Sequence, residues 1–160
     1  KSLTAKAIFR HNKPAFKIGA CRAAQQGASF AANDSGMKGN ASKQTVFVVD
    51  DEPMLLELAS VIIQPLGYNV RTFRDPEAAL KEFSTAKPDL VLTDYAMGRM
   101  TGMDLVRECR RINPAQKIIL VSGTVDEHVY ADAPAKPDKF LAKPYQLQEL
   151  SDSIRQLIAA

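Results

Sequence analysis

Leu90-Val91-Leu92-Thr93-Asp94-Tyr95-Ala96-Met97 is the stretch that decides how the chain is read. An apolar run feeds one aspartate, and a loop follows at once. Residues 90–93 have the continuous apolar character of a strand covered on both faces, as in the middle of a parallel sheet. Asp94 then stands at the strand's carboxyl end, where open α/β sheets place their ligand sites. Val46-Phe47-Val48-Val49 runs in the same way into Asp50-Asp51. Two strand-end carboxylate clusters in one parallel sheet can converge on one point and hold a divalent cation.

Outward from this stretch, strand and helix patterns alternate. Residues 45–50 are the first strand. Pro53 opens a helix where its missing N–H costs nothing, and Leu55, Leu56, Leu58, Ala59, Ile62 and Ile63 form its apolar face. Pro65 and Gly67 end it. Residues 68–73 are a second strand. Asp75-Pro76-Glu77 combines an N-cap, a first-turn proline and a first-turn acid, so a helix starts there and runs through Ala79, Leu80 and Phe83. The central strand covers residues 89–93. A helix over 103–112 buries Leu105, Val106, Cys109 and Ile112, and Asn113-Pro114 stops it. Residues 117–121 are a fourth strand. About two helical turns fit residues 125–132 before Pro134 and Pro137 forbid more. Residues 140–142 are a short fifth strand. Residues 146–159 are a closing helix with Leu147, Leu150, Ile154, Leu157 and Ile158 inward. Five such units with short connections predict an α/β fold: a doubly wound five-stranded parallel sheet, flavodoxin-like, in the order 2-1-3-4-5, with helices on both faces. That order sets strands 1 and 3, the two that end in carboxylates, side by side.

Length and charge bound the rest. The 160 residues suffice for one well-cored domain and not for two. No apolar run reaches the roughly 20 residues of a membrane helix, so no membrane span is expected. Two cysteines make no disulfide framework and point to a reducing, cytoplasmic setting. Cys109 falls on an apolar stripe as a small core residue. The net charge of +3 is divided: residues 1–43 carry eight basic side chains against Asp34 alone, and residues 44–160 carry thirteen against seventeen acids. Residues 1–43, rich in Ala, Gly, Ser, Asn and Lys, predict an unfolded basic leader. A targeting peptide, the end of a larger protein, and an arm for nucleic acid or anionic lipid are its other readings. Residues 44–160 are the folded domain.

The ordered marks Val49-Asp50-Asp51-Glu52-Pro53, Thr93-Asp94-Tyr95-Ala96-Met97, Thr101-Gly102-Met103-Asp104-Leu105, Ser122-Gly123 and Lys143-Pro144 make this domain resemble the receiver domain of two-component response regulators. Each mark is weak alone; in this order, each at the end of its strand, they are specific.

Asp50 and Asp51 have a bland reading as helix N-terminal acids, favourable by about 0.3–1 kcal/mol. That reading needs only one of them, and adjacent buried carboxylates repel. Mg2+ resolves the conflict, as a hard cation that takes carboxylate and carbonyl oxygens. The resemblance implies that Asp51 binds the metal directly and Asp50 through water, with Asp94 and the Ala96 backbone carbonyl completing the protein's ligands. It makes Asp94 the phosphoacceptor: a carboxylate that attacks phosphorus and becomes an aspartyl phosphate. It assigns Lys143 to the phosphoryl oxygens, through a Lys–Pro bond commonly cis in the family. It assigns Ser122 as the hydroxyl that moves toward the phosphoryl group and Phe140 as the aromatic that turns inward with it. Two departures stand out. Many receivers have proline where this chain has Gly98, which should loosen the loop beside the site. The fourth helix is also short.

A haloacid-dehalogenase-type phosphatase needs a second acid where this chain has Ala96. A flavodoxin-type module needs a phosphate-cradling loop where Asp50-Asp51-Glu52 would repel phosphate, and no Walker-type glycine loop occurs. A receiver-like interaction module that works without phosphorylation is the remaining alternative. The expected function is a phosphoacceptor signalling domain that takes phosphate from a sensor histidine kinase or phosphotransfer protein. It catalyses its own phosphorylation and dephosphorylation and is otherwise not an enzyme. With no DNA-binding domain after the last helix, output is expected through a downstream protein partner.

Overall fold

In the computed structural model, which describes residues 43–124 and 127–160, the central apolar run is strand β3 (Leu90–Asp94), buried at all five positions. Its neighbours are parallel on both sides. β1 (Thr45–Val49) pairs Val46 with Leu90 through Val49 with Thr93. β4 (Lys117–Ser122) pairs Lys117 with Leu90 through Val121 with Asp94. β2 (Asn69–Phe73) adds to β1, and β5 (Lys139–Ala142) adds to β4. The resulting order, β2-β1-β3-β4-β5, is the doubly wound one.

Successive strand side chains face opposite ways, so each apolar run divides between two cores. Val46, Val48, Leu90, Leu92, Ile119 and Val121 pack on one face. There they meet Leu56, Ala59 and Ile63 of α1 (Pro53–Ile63) and Leu150 and Ile154 of α4 (Leu147–Ala159). Phe47, Val49, Val91 and Ile118 pack on the other. There they meet Ala79 and Phe83 of α2 (Pro76–Ala86) and Leu105, Val106 and Cys109 of α3 (Gly102–Ile112). Neither face of the inner strands is left to water, which is why those strands read as unbroken apolar runs.

α1 and α2 start on the predicted signals, at Pro53 and at Asp75-Pro76. The Asp75 carboxylate accepts from the Glu77 N–H at 3.0 Å. At the head of α3, Thr101 and Asp104 close a reciprocal capping box: each side chain accepts from the other's backbone N–H. Gly102 then passes so near β3 that a Cβ there would lie 2.2 Å from the Asp94 carbonyl oxygen and 2.7 Å from Leu120 Cδ1. Only glycine fits, and the close approach fixes the end of β3 against α3.

Three side chains expected inward face solvent. Leu58 is 45% exposed, Ile112 39% and Leu147 57%. α1 is apolar almost all round, with only Glu57 and Ser60 polar, so its pattern defines no sharp face. Ile112 and Leu147 are terminal residues of their helices, where cover from neighbouring elements runs out.

The two helical turns expected over 125–132 are replaced by a single 3-10 turn, Glu127–Tyr130. Residues 125 and 126 lie outside the described residues, as do residues 1–42 of the expected leader. Side-chain pins hold the rest of this connection. The Asp138 carboxylate accepts from the Ile118 N–H at 2.7 Å and from Arg110 at 2.8 Å, and Arg110 also donates to the carbonyls of Pro114 and Lys136. No helix of the described residues is long and apolar enough to cross a membrane.

Two outcomes follow from this packing. Gly102→Ala should lower stability by about 1–3 kcal/mol in urea unfolding, because the Asp94 carbonyl and Leu120 must both yield. An unchanged midpoint would show that α3 can slide. Cys109 is 1% exposed and burial pushes its thiol up to about 12. In a Cys21→Ser background, iodoacetamide at pH 8 should therefore label Cys109 only as the protein unfolds. Rapid labelling of the native protein would mean that α3 lifts from the sheet.

Candidate functional site

The carboxyl ends of β1, β3, β4 and β5 meet at one edge of the sheet. Asp94 is the last residue of β3 and still pairs with Val121 of β4. The Tyr95 N–H donates to the Val121 carbonyl at 2.8 Å, and the Gly102 N–H donates to the Tyr95 carbonyl at 2.8 Å, so the chain is held on both sides of the turn. The Asp94 carboxylate is buried. Its Oδ2 accepts from the Ala96 N–H at 2.7 Å, and its Oδ1 lies 2.7 Å from Lys143 Nζ.

Lys143 reaches this point from the far end of β5. Its N–H donates to the Ser122 carbonyl at 2.7 Å, and the Lys143–Pro144 peptide that follows is cis. Its Nζ also lies 3.4 Å from Asp50 Oδ2. Asp50 is buried as well, with Oδ1 accepting from the Glu52 N–H at 2.9 Å. One ammonium thus bridges two buried carboxylates, one closely and one loosely. Burial pushes the Asp50 carboxyl above the usual range, and Asp94 adds to this while the Glu52 N–H and Lys143 oppose it. Burial works against the Lys143 ammonium, but the hydrogen bond to Asp94 and the charges of Asp50 and Asp94 outweigh it and hold the amine above its ordinary range.

Asp51 stands apart. It is exposed and lines a separate cleft of about 310 Å³ with Arg74, Met97, Gly98 and Arg99. Among the described residues no three His, Cys, Asp or Glu side chains form a metal-sized group. The donor chemistry nonetheless fits a hard divalent cation. The three aspartates and the Ala96 carbonyl offer oxygen alone, and two of the carboxylates already share a cation.

The remaining expected residues ring this centre. Ser122 ends β4 and is buried; its Oγ accepts from the Thr124 N–H at 3.1 Å and lies 3.4 Å from Thr124 Oγ1. Phe140 is half-buried on β5, with its ring 5.8 Å from that of Tyr130. Gly98 has φ +53° with no atom within 4 Å of a Cβ, so the left-handed backbone and not crowding favours glycine there. Proline, fixed near −65°, has no place in that turn.

Two aromatics were not anticipated. Tyr130 is the buried end of the 3-10 turn, and an expected helix had hidden it. Tyr145 lines the space behind Lys143. Its only sequence signal is its place two residues after that lysine.

Comparison with known proteins agrees with this fold. The family model for the response regulator receiver domain matches residues 46–155. The probable transcriptional regulatory protein TcrX of Mycobacterium tuberculosis is 31% identical over 116 residues, 71% of this chain and 49% of that protein. The DNA-binding response regulator MtrA of Mycolicibacterium smegmatis is 28% identical over 113 residues, 71% of this chain and 50% of that protein. Among solved structures, response regulator protein TrrA from Thermotoga maritima in complex with Mg(2+)-BeF superposes with a TM-score of 0.64 at 31% identity, covering 71% of this chain and 98% of that one. A response regulator receiver domain protein from Clostridium thermocellum gives 0.67 at 28% identity, covering 72% and 94%.

These relatives correct one expectation. The chain spans about half the length of the curated relatives it matches, and those are named for transcriptional regulation and DNA binding. The expectation of output through a protein partner, with DNA binding set aside, is overturned. The domain itself is settled by the match over residues 46–155, which share one parallel sheet and one carboxylate edge: the chain belongs to the response regulator receiver domain family.

Proposed function

We propose that this domain accepts a phosphoryl group on Asp94 from the phosphohistidine of a histidine kinase, in a Mg2+-dependent reaction. The observation that carries this reading is the Asp94 carboxylate, held by the Ala96 N–H on one oxygen and by Lys143 on the other. A carboxylate fixed at both oxygens is oriented for in-line attack. Its oxygen bonds to phosphorus as the bond from phosphorus to the donor nitrogen breaks, and the electron pair of that bond stays on the imidazole. Lys143 then serves the phosphoryl oxygens, as a point charge on a long stem.

Mg2+, when bound, supplies charge neutralisation between the carboxylates and the incoming phosphoryl oxygens. Asp51 would hold it directly, Asp50 through water, and Asp94 and the Ala96 carbonyl would join them. The domain catalyses these steps on itself, including the later hydrolysis that restores Asp94. The Ser122 hydroxyl, which now receives the Thr124 N–H, turns toward the phosphoryl group. Phe140 packs inward in response. A cytoplasmic setting suits the free thiol of Cys109.

Incubation with acetyl phosphate and Mg2+ should add one phosphoryl group, seen by intact-protein mass spectrometry. Asp94→Asn should abolish the addition, and so should EDTA. Label remaining on Asp94→Asn would remove Asp94 from its role. A protein that takes no label at all would favour an interaction module independent of phosphorylation.

The metal assignment has its own measurement. In magnesium titrations, Asp51→Asn should lose more affinity than Asp50→Asn, since a direct ligand outweighs one acting through water. Equal or reversed losses would contradict it.

A further inference from the structure

Behind the pair of Lys143 and Asp94 lies a cavity of about 10 Å³, close to the space one water molecule needs. Asp50, Asp94 and Lys143 form its polar lining, and Leu55, Ala59 and Tyr145 are among its other walls. Tyr145 is half-buried and packs against the core shared by α1 and α4. The backbone of Lys143 is fixed by its bond to the Ser122 carbonyl, but four methylenes separate that backbone from the ammonium. Something must restrict the stem, or the ammonium would sample water instead of two buried carboxylates.

We propose that Tyr145 is a positioning residue, whose ring walls this cavity and holds the Lys143 ammonium on the Asp94 carboxylate. The ring does this by filling the apolar side of the lysine's swing and by limiting the water within reach of Nζ. With less solvent in reach, the nearest charges to the ammonium are those of Asp94 and Asp50. The phenol itself stays neutral: burial pushes it up, with Asp50 and Asp94 adding and Lys143 opposing. The consequence for phosphoryl transfer rests on the reading of Asp94 as phosphoacceptor; the shared cavity lining of Tyr145 and Lys143 does not.

The test uses the full chain and two readouts. Competitive acylation with acetic anhydride, followed by peptide mass spectrometry, reports how accessible Lys143 is relative to the other lysines. Acetyl phosphate with Mg2+ reports the phosphorylation rate. Tyr145→Ala should raise Lys143 acylation severalfold and slow phosphorylation by roughly tenfold, as misplacement of a charge-bearing group does. Tyr145→Phe keeps the ring and should match the unaltered protein in both. Tyr145→Leu takes the place of Tyr145→Ala if the latter fails to fold. Unchanged Lys143 acylation in a folded Ala or Leu variant overturns the proposal. So does a Phe variant that behaves like Ala, because the hydroxyl and not the ring would then be acting. If the unaltered protein takes no phosphoryl group, the phosphoacceptor reading fails, and the acylation pattern still decides the role of Tyr145.

Discussion

Two carboxylates and one ammonium, all largely withdrawn from water, share the carboxyl edge of the sheet. The rest of the structure depends on how that arrangement is held. It is a poor source of stability, since taking charges out of water costs about as much as their attraction returns. Its geometry is also uneven: Lys143 sits 2.7 Å from Asp94 and 3.4 Å from Asp50. The closer contact gives Asp94 a full partner, whereas the Asp50 carboxyl is pushed up by burial despite the same lysine. Charge at this edge is therefore only partly neutralised. That excess of negative charge is what a divalent cation would offset.

The sheet makes the arrangement possible through register. β1 and β3 are adjacent at the switch point, so Asp50 and Asp94 leave neighbouring strands at the same end. Asp94 is still within the ladder, and the Tyr95 N–H extends the pairing to Val121 by one more bond. Gly102 then brings α3 against the Asp94 carbonyl at a distance no larger residue permits. The nucleophile candidate is thus mounted on the most constrained part of the fold. Lys143, Ser122 and Phe140 come from its β4 and β5 side.

Much of this was legible in the sequence, for a physical reason. Strands covered on both faces must be apolar at every position, so β1, β3 and β4 announce themselves. Asp75 and Pro53 mark helix starts through local chemistry that needs no tertiary contact. What was misread or left unread shares the opposite property. The outward turn of Leu58 depends on which side of a nearly all-apolar α1 meets the sheet. The constraint on Gly102 comes from a carbonyl eight residues away. Tyr145 acquires its place only when β5 lies beside β4. The exposure of Asp51 is a matter of loop conformation that no spacing encodes. The expectation about output leaned on the last residues of the chain, and the length of the curated relatives overturned it.

In the connection between β4 and β5 a short 3-10 turn stands where a helix was expected. Its β5 end is fixed to rigid parts. Asp138 is bonded to Ile118 through both backbone and side chain, and Arg110 of α3 grips Asp138 and the Lys136 carbonyl. Register between β4 and β5 sets Leu120 beside Phe140 and Ser122 beside Ala142. Neither strand can shift without breaking that ladder, so any rearrangement begun at Ser122 must be taken up between Ser122 and that pinned end. Among the described contacts there are the bond of the Thr124 N–H to Ser122 Oγ and the ring of Tyr130 against Phe140. Both are single weak interactions, each on the order of 1 kcal/mol. A charged hydrogen bond from the Ser122 hydroxyl to a phosphoryl oxygen is worth more than either, about 1.5–3 kcal/mol. On the proposed reading, one such bond would outweigh either contact taken singly, while the pinned end at Asp138 keeps the strands in place.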